Sequence, residues 1–133
     1  MNLVDSSAWL EYFAAGPQAG LFAKAIEDVP RLVVPTIVLS EVSRRVLQQR
    51  GEGEALQVAA VMHQGRVADL DGALALSAAQ LGLTHKLPLA DSIIYATARQ
   101  YGATVWTLDA DFATLPGVRY FAKSRLTSGR VKG

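Results

Sequence analysis

The sequence contains no cysteine. Disulfide bonds, thiolate metal sites and a cysteine nucleophile are therefore excluded, and the composition suits a reducing compartment. The chain also lacks a run of about 18 apolar residues, the length that a membrane-spanning helix needs. No basic segment followed by a long apolar stretch opens it, so we expect no signal peptide, no membrane span and a cytoplasmic location.

An excess of charge of either sign is missing as well. The 13 basic and 12 acidic residues give a formal net charge of +1, so no uniform basic surface indicates nucleic acid binding. The distribution is less even, because no acid follows Asp111. The basic residues after it are Arg119, Lys123, Arg125, Arg130 and Lys132. Such an end suits phosphate or an acidic partner, but a solvated tail explains it equally well.

Several common enzyme signatures are absent. There is no Gly-x-Gly-x-x-Gly run and no Walker A motif, so nucleotide binding by those routes is not indicated. Ser6 and Ser7 lack the base and the sharp turn of a nucleophilic serine. His63 and His85 stand too far apart for a recognisable ligand motif, and we interpret them as a helix-end residue and a loop residue.

The chain does show a regular alternation of short apolar runs and longer amphipathic ones. The short runs predict strands at about 1–4, 32–34, 67–70, 105–108 and 118–121. The longer runs predict helices at about 6–15, 18–28, 36–49, 54–63, 72–81 and 89–101, with Gly82 ending the fifth at a positive φ and a loop at 83–88. This pattern predicts an α/β fold with three α/β/α layers and a central, mainly parallel sheet. With half of its residues apolar, 1–133 is expected to be a single domain in which 129–133 fray.

Four acidic residues lie at the junctions between these elements. Asp5 and Asp109 each follow an apolar strand directly, while Glu41 and Asp91 lie within a turn or two of a helix start. In a parallel sheet covered by helices these positions meet at one edge. Carboxylates gathered there repel one another unless a divalent cation holds them. An all-oxygen site suits Mg²⁺ or Mn²⁺ rather than Zn²⁺.

Each acid also has an ordinary structural explanation. Asp5 can cap a helix, Asp91 suits the positive end of a helix dipole, and Asp109 can form an Asx turn. Glu41 stands three and four residues before two arginines, and a surface pair at that spacing contributes only about 0.3–0.5 kcal/mol. The joint arrangement, rather than any single acid, indicates a metal site.

Four motifs carry a resemblance to a known family. They are Leu3-Val4-Asp5-Ser6-Ser7-Ala8-Trp9-Leu10, Val38-Leu39-Ser40-Glu41-Val42, Leu87-Pro88-Leu89-Ala90-Asp91-Ser92-Ile93-Ile94-Tyr95-Ala96-Thr97-Ala98 and Val105-Trp106-Thr107-Leu108-Asp109-Ala110-Asp111-Phe112. In order and spacing the chain resembles the PIN-domain ribonucleases, specifically the VapC-like toxins of type II toxin–antitoxin pairs. The resemblance spans essentially the whole chain, and the last two motifs together are its specific part.

The resemblance implies a set of site residues. The implied catalytic residues are Asp5, Glu41, Asp91 and Asp109. Of these, the three aspartates would hold Mg²⁺ or Mn²⁺, and Glu41 would complete the shell or orient the attacking water. Asp111 is implied as an accessory acid, and Thr107 and Ser6 as polar residues that hydrogen-bond the site. The family also implies a homodimer and a cognate antitoxin that inserts a C-terminal segment near the acidic groove.

The expected function is metal-dependent endonucleolytic cleavage of RNA phosphodiester bonds by a toxin. A metal lowers the pKa of bound water and neutralises the scissile phosphate. Basic residues near the motifs are candidates for binding RNA backbone phosphates. They are Arg44, Arg45, Lys86 and Arg99.

Two other interpretations stay open. Another Mg-dependent phosphate hydrolase, such as an aspartyl-phosphate phosphatase, would need Asp-x-Asp after the first strand, where Ser7 stands instead. A non-catalytic PIN-like module that binds RNA or protein would keep the fold without binding metal. Calorimetry with Mn²⁺ separates that module from the enzyme.

Overall fold

The computed structural model describes residues 1–124; the predicted fraying of 129–133 and the basic residues beyond Lys123 lie outside the described residues. The strands are β1 (Asn2–Val4), β2 (Leu32–Pro35), β3 (Arg66–Ala68), β4 (Thr104–Thr107) and β5 (Val118–Tyr120). The helices are α1 (Ser6–Phe13), α2 (Ala19–Ile26), α3 (Thr36–Arg50), α4 (Glu52–Met62), α5 (Gly72–His85) and α6 (Leu89–Tyr101). Short 3₁₀ turns span Val29–Arg31 and Ala110–Phe112. Within the described part of the chain, no helix is both long and apolar enough to cross a bilayer.

The five strands form one parallel sheet in the order β3-β2-β1-β4-β5. The predicted α/β/α fold class is confirmed, and the last strand, β5, lies at an edge of the sheet. The central strands are short apolar runs because helices cover both of their faces. Leu3 and Val4 of β1 and Val33 and Val34 of β2 are completely buried.

The topology places a crevice between β1 and β4. From β1 the chain builds one side of the sheet through β2 and β3, then crosses back to add β4 and β5 on the other side. Open parallel sheets bind their ligands at such a reversal of strand order, outside the carboxyl ends of the strands. Val4 pairs with Trp106 in register, and the Asp5 N–H donates to the Trp106 carbonyl at 3.1 Å. The residues that follow β1 and β4 are therefore neighbours at this crevice.

The structure corrects the predicted end of the fifth helix. Helix α5 continues past Gly82 to His85, and Lys86 has the left-handed φ of 56° that ends it. His85 is therefore not a loop residue. Gly82 is required by packing instead, because a β-carbon there would clash with the Ser92 hydroxyl of α6. The absence of a side chain lets α5 approach the first turn of α6 closely.

Other predicted boundaries shift by one or two residues. Helix α4 begins at Glu52, two residues before the predicted start at 54. Strand β3 ends at Ala68 rather than at 70. Asp71 caps α5 by accepting from the Leu74 N–H at 2.8 Å.

Candidate functional site

Asp5 is the residue that joins β1 to α1, and it lies at the crevice between β1 and β4. It caps α1, and one carboxylate oxygen, Oδ1, accepts from the Ala8 N–H at 3.1 Å and from the Ser7 hydroxyl at 2.7 Å. The other oxygen, Oδ2, accepts from the Thr107 hydroxyl at 2.6 Å. Burial raises the pKa of Asp5 to about 6, although the hydrogen bonds from Thr107 and Ser7 oppose this rise. The predicted capping role is confirmed. The Asp5 carboxylate is also only 3% exposed and accepts hydrogen bonds from two side chains, which capping alone does not require.

Two hydroxyl groups tie Asp5 to the segment after β4. Thr107 Oγ1 donates to Asp5 and accepts from the Asp109 N–H at 2.8 Å. Ser7 Oγ donates to the other oxygen of Asp5 and accepts from the Leu108 N–H at 3.1 Å. Each hydroxyl therefore uses both its donor and its acceptor capacity to hold the two strand ends together. Thr107 was among the polar residues predicted for the site, whereas Ser7 was not, because its partner Leu108 lies far away in the sequence.

Three further aspartates converge beside Asp5. Oxygen atoms of Asp91, Asp109 and Asp111 all lie within 4.8 Å of one another. Asp109 Oδ1 accepts from the Asp111 N–H at 2.9 Å, which is the predicted Asx turn. Asp91 lies in the first turn of α6. We call Asp5, Asp91, Asp109 and Asp111 the acidic cluster.

The members of the acidic cluster perturb one another electrostatically. The pKa of Asp91 is raised to about 7, chiefly by partial burial and then by the charge of Asp109, a hydrogen bond with Asp109 and the charges of Asp111 and Asp5. The charge of Asp109 also contributes to the raised pKa of Asp5. Like charges held this close disfavour full ionisation.

Glu41 reaches the same rim from α3. The Ser6 hydroxyl, at the start of α1, donates to Glu41 Oε1, so this polar contact links α1 to α3. Among residues 1–124, Glu41 forms no ion pair with Arg44 or Arg45, which removes the simplest alternative explanation for it. Glu41 is exposed and is linked to Asp5 only through Ser6, the next residue in the chain, and it does not belong to the group of converging carboxylates found among residues 1–124.

The four predicted phosphate-binding residues are not equally close to the acidic cluster. Arg44 and Arg45 follow Glu41 on α3, and Lys86 is exposed at the connection leading to α6. Arg99 is in the last turn of α6, about 12 Å along the helix axis from Asp91 at 1.5 Å per residue. Arg99 therefore lies at the other end of α6, away from the carboxyl ends of the strands where Asp91 lies.

The sequence from residue 3 to residue 118 matches the PIN domain family. The chain belongs to this family. The match covers most of the chain and confirms the family predicted from the four motifs. Among curated proteins, no sequence matches the chain.

The fold of this PIN domain is similar to that of several solved structures. A toxin-antitoxin complex from Klebsiella pneumoniae is 23% identical with a TM-score of 0.78, covering 92% of this chain and 100% of the other. VapC20 of Mycobacterium tuberculosis, a Sarcin-Ricin loop cleaving toxin, is 21% identical with a TM-score of 0.73 and coverages of 89% and 97%. DNA-bound VapBC from Salmonella typhimurium is 19% identical with a TM-score of 0.68 and coverages of 92% and 98%.

The donor set of the PIN domain's acidic cluster fits a hard divalent cation. It offers only carboxylate oxygens, the ligands that Mg²⁺ and Mn²⁺ prefer. After burial, the charges of Asp109, Asp111 and Asp5 raise the pKa of Asp91, and a cation would relieve this repulsion. Asp111, indicated by the sequence only as an accessory acid, belongs to the closest group. Asp5 lies beside it, and its Oδ2 accepts a single hydrogen bond, which leaves a lone pair for a ligand.

Proposed function

We propose that this PIN domain is a metal-dependent endoribonuclease and the toxin of a toxin–antitoxin pair. The observation that carries the proposal is the acidic cluster at the reversal of strand order, with the raised pKa values of Asp5 and Asp91. The similarity to a Sarcin-Ricin loop cleaving toxin and to a toxin-antitoxin complex supports the same activity.

In this mechanism Asp5, Asp91 and Asp109 would hold Mg²⁺ or Mn²⁺, with Asp111 beside them. When bound, the cation would neutralise the scissile phosphate and lower the pKa of a water ligand. Thr107 and Ser7 keep the Asp5 carboxylate fixed through their paired hydrogen bonds. Exposed Glu41, held by Ser6, accepts a hydrogen bond from the attacking water and orients it.

The activity is tested with purified wild-type protein and Asp91→Asn on RNA, with Mn²⁺ or with EDTA. We expect cleavage by the wild type only with the metal, and a rate for Asp91→Asn lower by about 100-fold or more, because several kcal/mol of charge stabilisation are lost. Asp69→Asn, an exposed acid outside the acidic cluster, serves as the matched control. Cleavage that persists in EDTA or in Asp91→Asn contradicts the proposal. No heat of Mn²⁺ binding in calorimetry would favour the non-catalytic module.

We also propose a homodimer through an apolar face on α5 and the start of α6. Leu76, Leu83 and Leu89 are 76%, 84% and 80% exposed, and Leu70 beside them is 44% exposed. Leu70, Leu83 and Leu89 line one open apolar depression of about 610 Å³. Large exposed apolar patches mark association sites, and a second copy of the chain would bury this one.

Light scattering tests the dimer. Wild-type protein is expected at twice the monomer mass and Leu83→Glu at the monomer mass, since a buried carboxylate in an apolar interface is costly. Leu56→Glu is the matched control, because Leu56 is 73% exposed on α4, away from this face. A monomeric wild type, or a dimer that survives Leu83→Glu, contradicts the assignment.

A cognate antitoxin is the proposed protein partner. The solved structures of the Klebsiella pneumoniae toxin-antitoxin complex and the Salmonella typhimurium VapBC support this partner. A small DNA-binding protein encoded beside this chain is expected to bind it and to stop RNA cleavage. Failure of such a protein to bind purified toxin would remove this part of the proposal.

A further inference from the structure

A groove lies between α1 and α3. It has a volume of about 460 Å³. Its lining includes Ser7 and Leu108, which are joined by a hydrogen bond, and Ser7 also donates to the Asp5 carboxylate. Arg45 and Lys123 line it as well. The groove therefore begins beside the residues that hold Asp5, next to the acidic cluster.

One wall of this groove is a single stripe of α3. Glu41, Arg45 and Gln49 are spaced four residues apart, so they share one face of the helix and each lies about 6 Å farther along its axis. Glu41 is at the rim of the site, and Arg45 and Gln49 line the groove. A cation thus stands one helical turn beyond the reaction site.

The segment that follows β5 also contributes to the lining. The Gln18 side chain holds it through two hydrogen bonds, since Nε2 donates to the Ala122 carbonyl at 2.8 Å and Oε1 accepts from the Ser124 N–H at 3.0 Å. This pairing fixes the backbone on both sides of Lys123. The exposed ammonium group of Lys123 is thereby kept at the groove.

The charges that line the groove are only partly compensated. Arg50 pairs with Glu54 at 2.7 Å, and the Glu11 carboxylate accepts from the Gln18 N–H at 2.8 Å. Within residues 1–124, neither Arg45 nor Lys123 has a carboxylate within salt-bridge distance. Two cations without a carboxylate partner, lining a groove that begins beside the acidic cluster, call for an anionic ligand that extends beyond the cluster.

We propose that the groove binds the phosphate backbone of the RNA strand next to the cleaved bond, with Arg45 and Lys123 each contacting a phosphate. This inference rests on the proposed nuclease function and adds the path of the substrate to it. Neither a free phosphate nor a nucleotide would need two cations from separate elements outside the acidic cluster. A polyanionic strand would contact both.

The test measures binding separately from cleavage. In an Asp91→Asn background, fluorescence anisotropy with a labelled single-stranded oligoribonucleotide gives the dissociation constant over a range of NaCl concentrations. Each phosphate contact contributes about 0.7 to the slope of log affinity against log salt for single strands. Arg45→Gln and Lys123→Gln are each expected to lower the slope by about 0.7, and the double variant by about 1.4. Arg99→Gln removes the same charge at the far end of α6 and is expected to leave the slope unchanged.

The outcomes are distinct from those of the activity test. A slope that stays the same in Arg45→Gln and Lys123→Gln while RNA still binds overturns the groove assignment and leaves the proposed nuclease standing. An equal loss in Arg99→Gln also overturns it, because net charge rather than a local contact would then be responsible. If the two groove variants weaken antitoxin binding but not the RNA slope, the groove belongs to the protein partner. Absence of metal-dependent cleavage by the wild type, by contrast, refutes the nuclease itself.

Discussion

Replacing Asp91 by asparagine is expected to stabilise the metal-free protein. The folded-state pKa of Asp91 is raised from 3.8 to about 7, first by burial and next by the charge of Asp109. The folded protein therefore binds this proton more tightly than the unfolded chain does, and stability falls as the pH rises from 3.8 through about 7. Above that range the destabilising contribution of the ionised Asp91 carboxylate has its full size. Asparagine removes the charge while keeping the shape of the side chain.

The expected size of the effect follows from the same shift. A rise of about three pKa units corresponds to about 4 kcal/mol at face value. Because Asp91 is only half-buried, solvent screening reduces this, and we expect a gain of about 1–2 kcal/mol at pH 8. In a chain of this length that gain raises Tm by about 3–8 °C. The gain should shrink by more than half at pH 5, where Asp91 of the folded wild type is mostly protonated.

Differential scanning calorimetry in EDTA, at pH 8 and at pH 5, measures this difference. Asp69→Asn, the exposed control, is expected within about 0.5 kcal/mol of the wild type at both values. Adding Mn²⁺ should make the wild type more stable than Asp91→Asn. A bound ion at 100 times its Kd stabilises the folded state by about 2.7 kcal/mol, and Asp91→Asn lacks one of the carboxylates that would bind it. Equal stability of wild type and Asp91→Asn at pH 8 in EDTA would refute the crowding of carboxylates.

Three further substitutions test individual contacts. Thr107→Val leaves buried partners without hydrogen bonds, among them Asp5 Oδ2; we expect a loss of about 1–3 kcal/mol in urea denaturation, most of it restored in Thr107→Ser. Gly82→Ala overpacks the contact between α5 and α6 and should cost about 1–3 kcal/mol, with a smaller cost when Ser92→Ala removes the clashing hydroxyl; an additive double variant would disprove the contact. Glu41→Gln alters an exposed side chain, so the free energy of unfolding should change by less than about 0.5 kcal/mol. The RNA cleavage rate should nevertheless fall by about 10-fold or more. A variant as active as the wild type would remove Glu41 from the mechanism.

The sequence predicts this fold well because its elements are locally encoded. Short apolar runs become buried parallel strands, and amphipathic runs become the helices that cover them. The meeting of Asp5 and Asp109 was also predictable, since the carboxyl ends of neighbouring parallel strands share an edge. The presence of Asp91 at that edge follows from its place in the first turn of α6.

Features that depend on distant contacts were not predictable. Ser7 accepts a hydrogen bond from Leu108, far away in the sequence, so its place in the support of Asp5 appears only after folding. Gly82 resembles a helix end, but its role is set by the packing of Ser92 against it. Arg99 lies near the third motif in sequence, and yet the rise of α6 carries it about 12 Å from Asp91.

The most direct test of the central claim is to sequence RNA 5′ ends after expression of the wild-type protein and of Asp91→Asn. The wild type is expected to create new ends at defined positions, and Asp91→Asn, with its fold retained, to create none of them. The same new ends from both proteins, or none from a wild type that is folded and free of antitoxin, would contradict the assignment of the acidic cluster as a ribonuclease site.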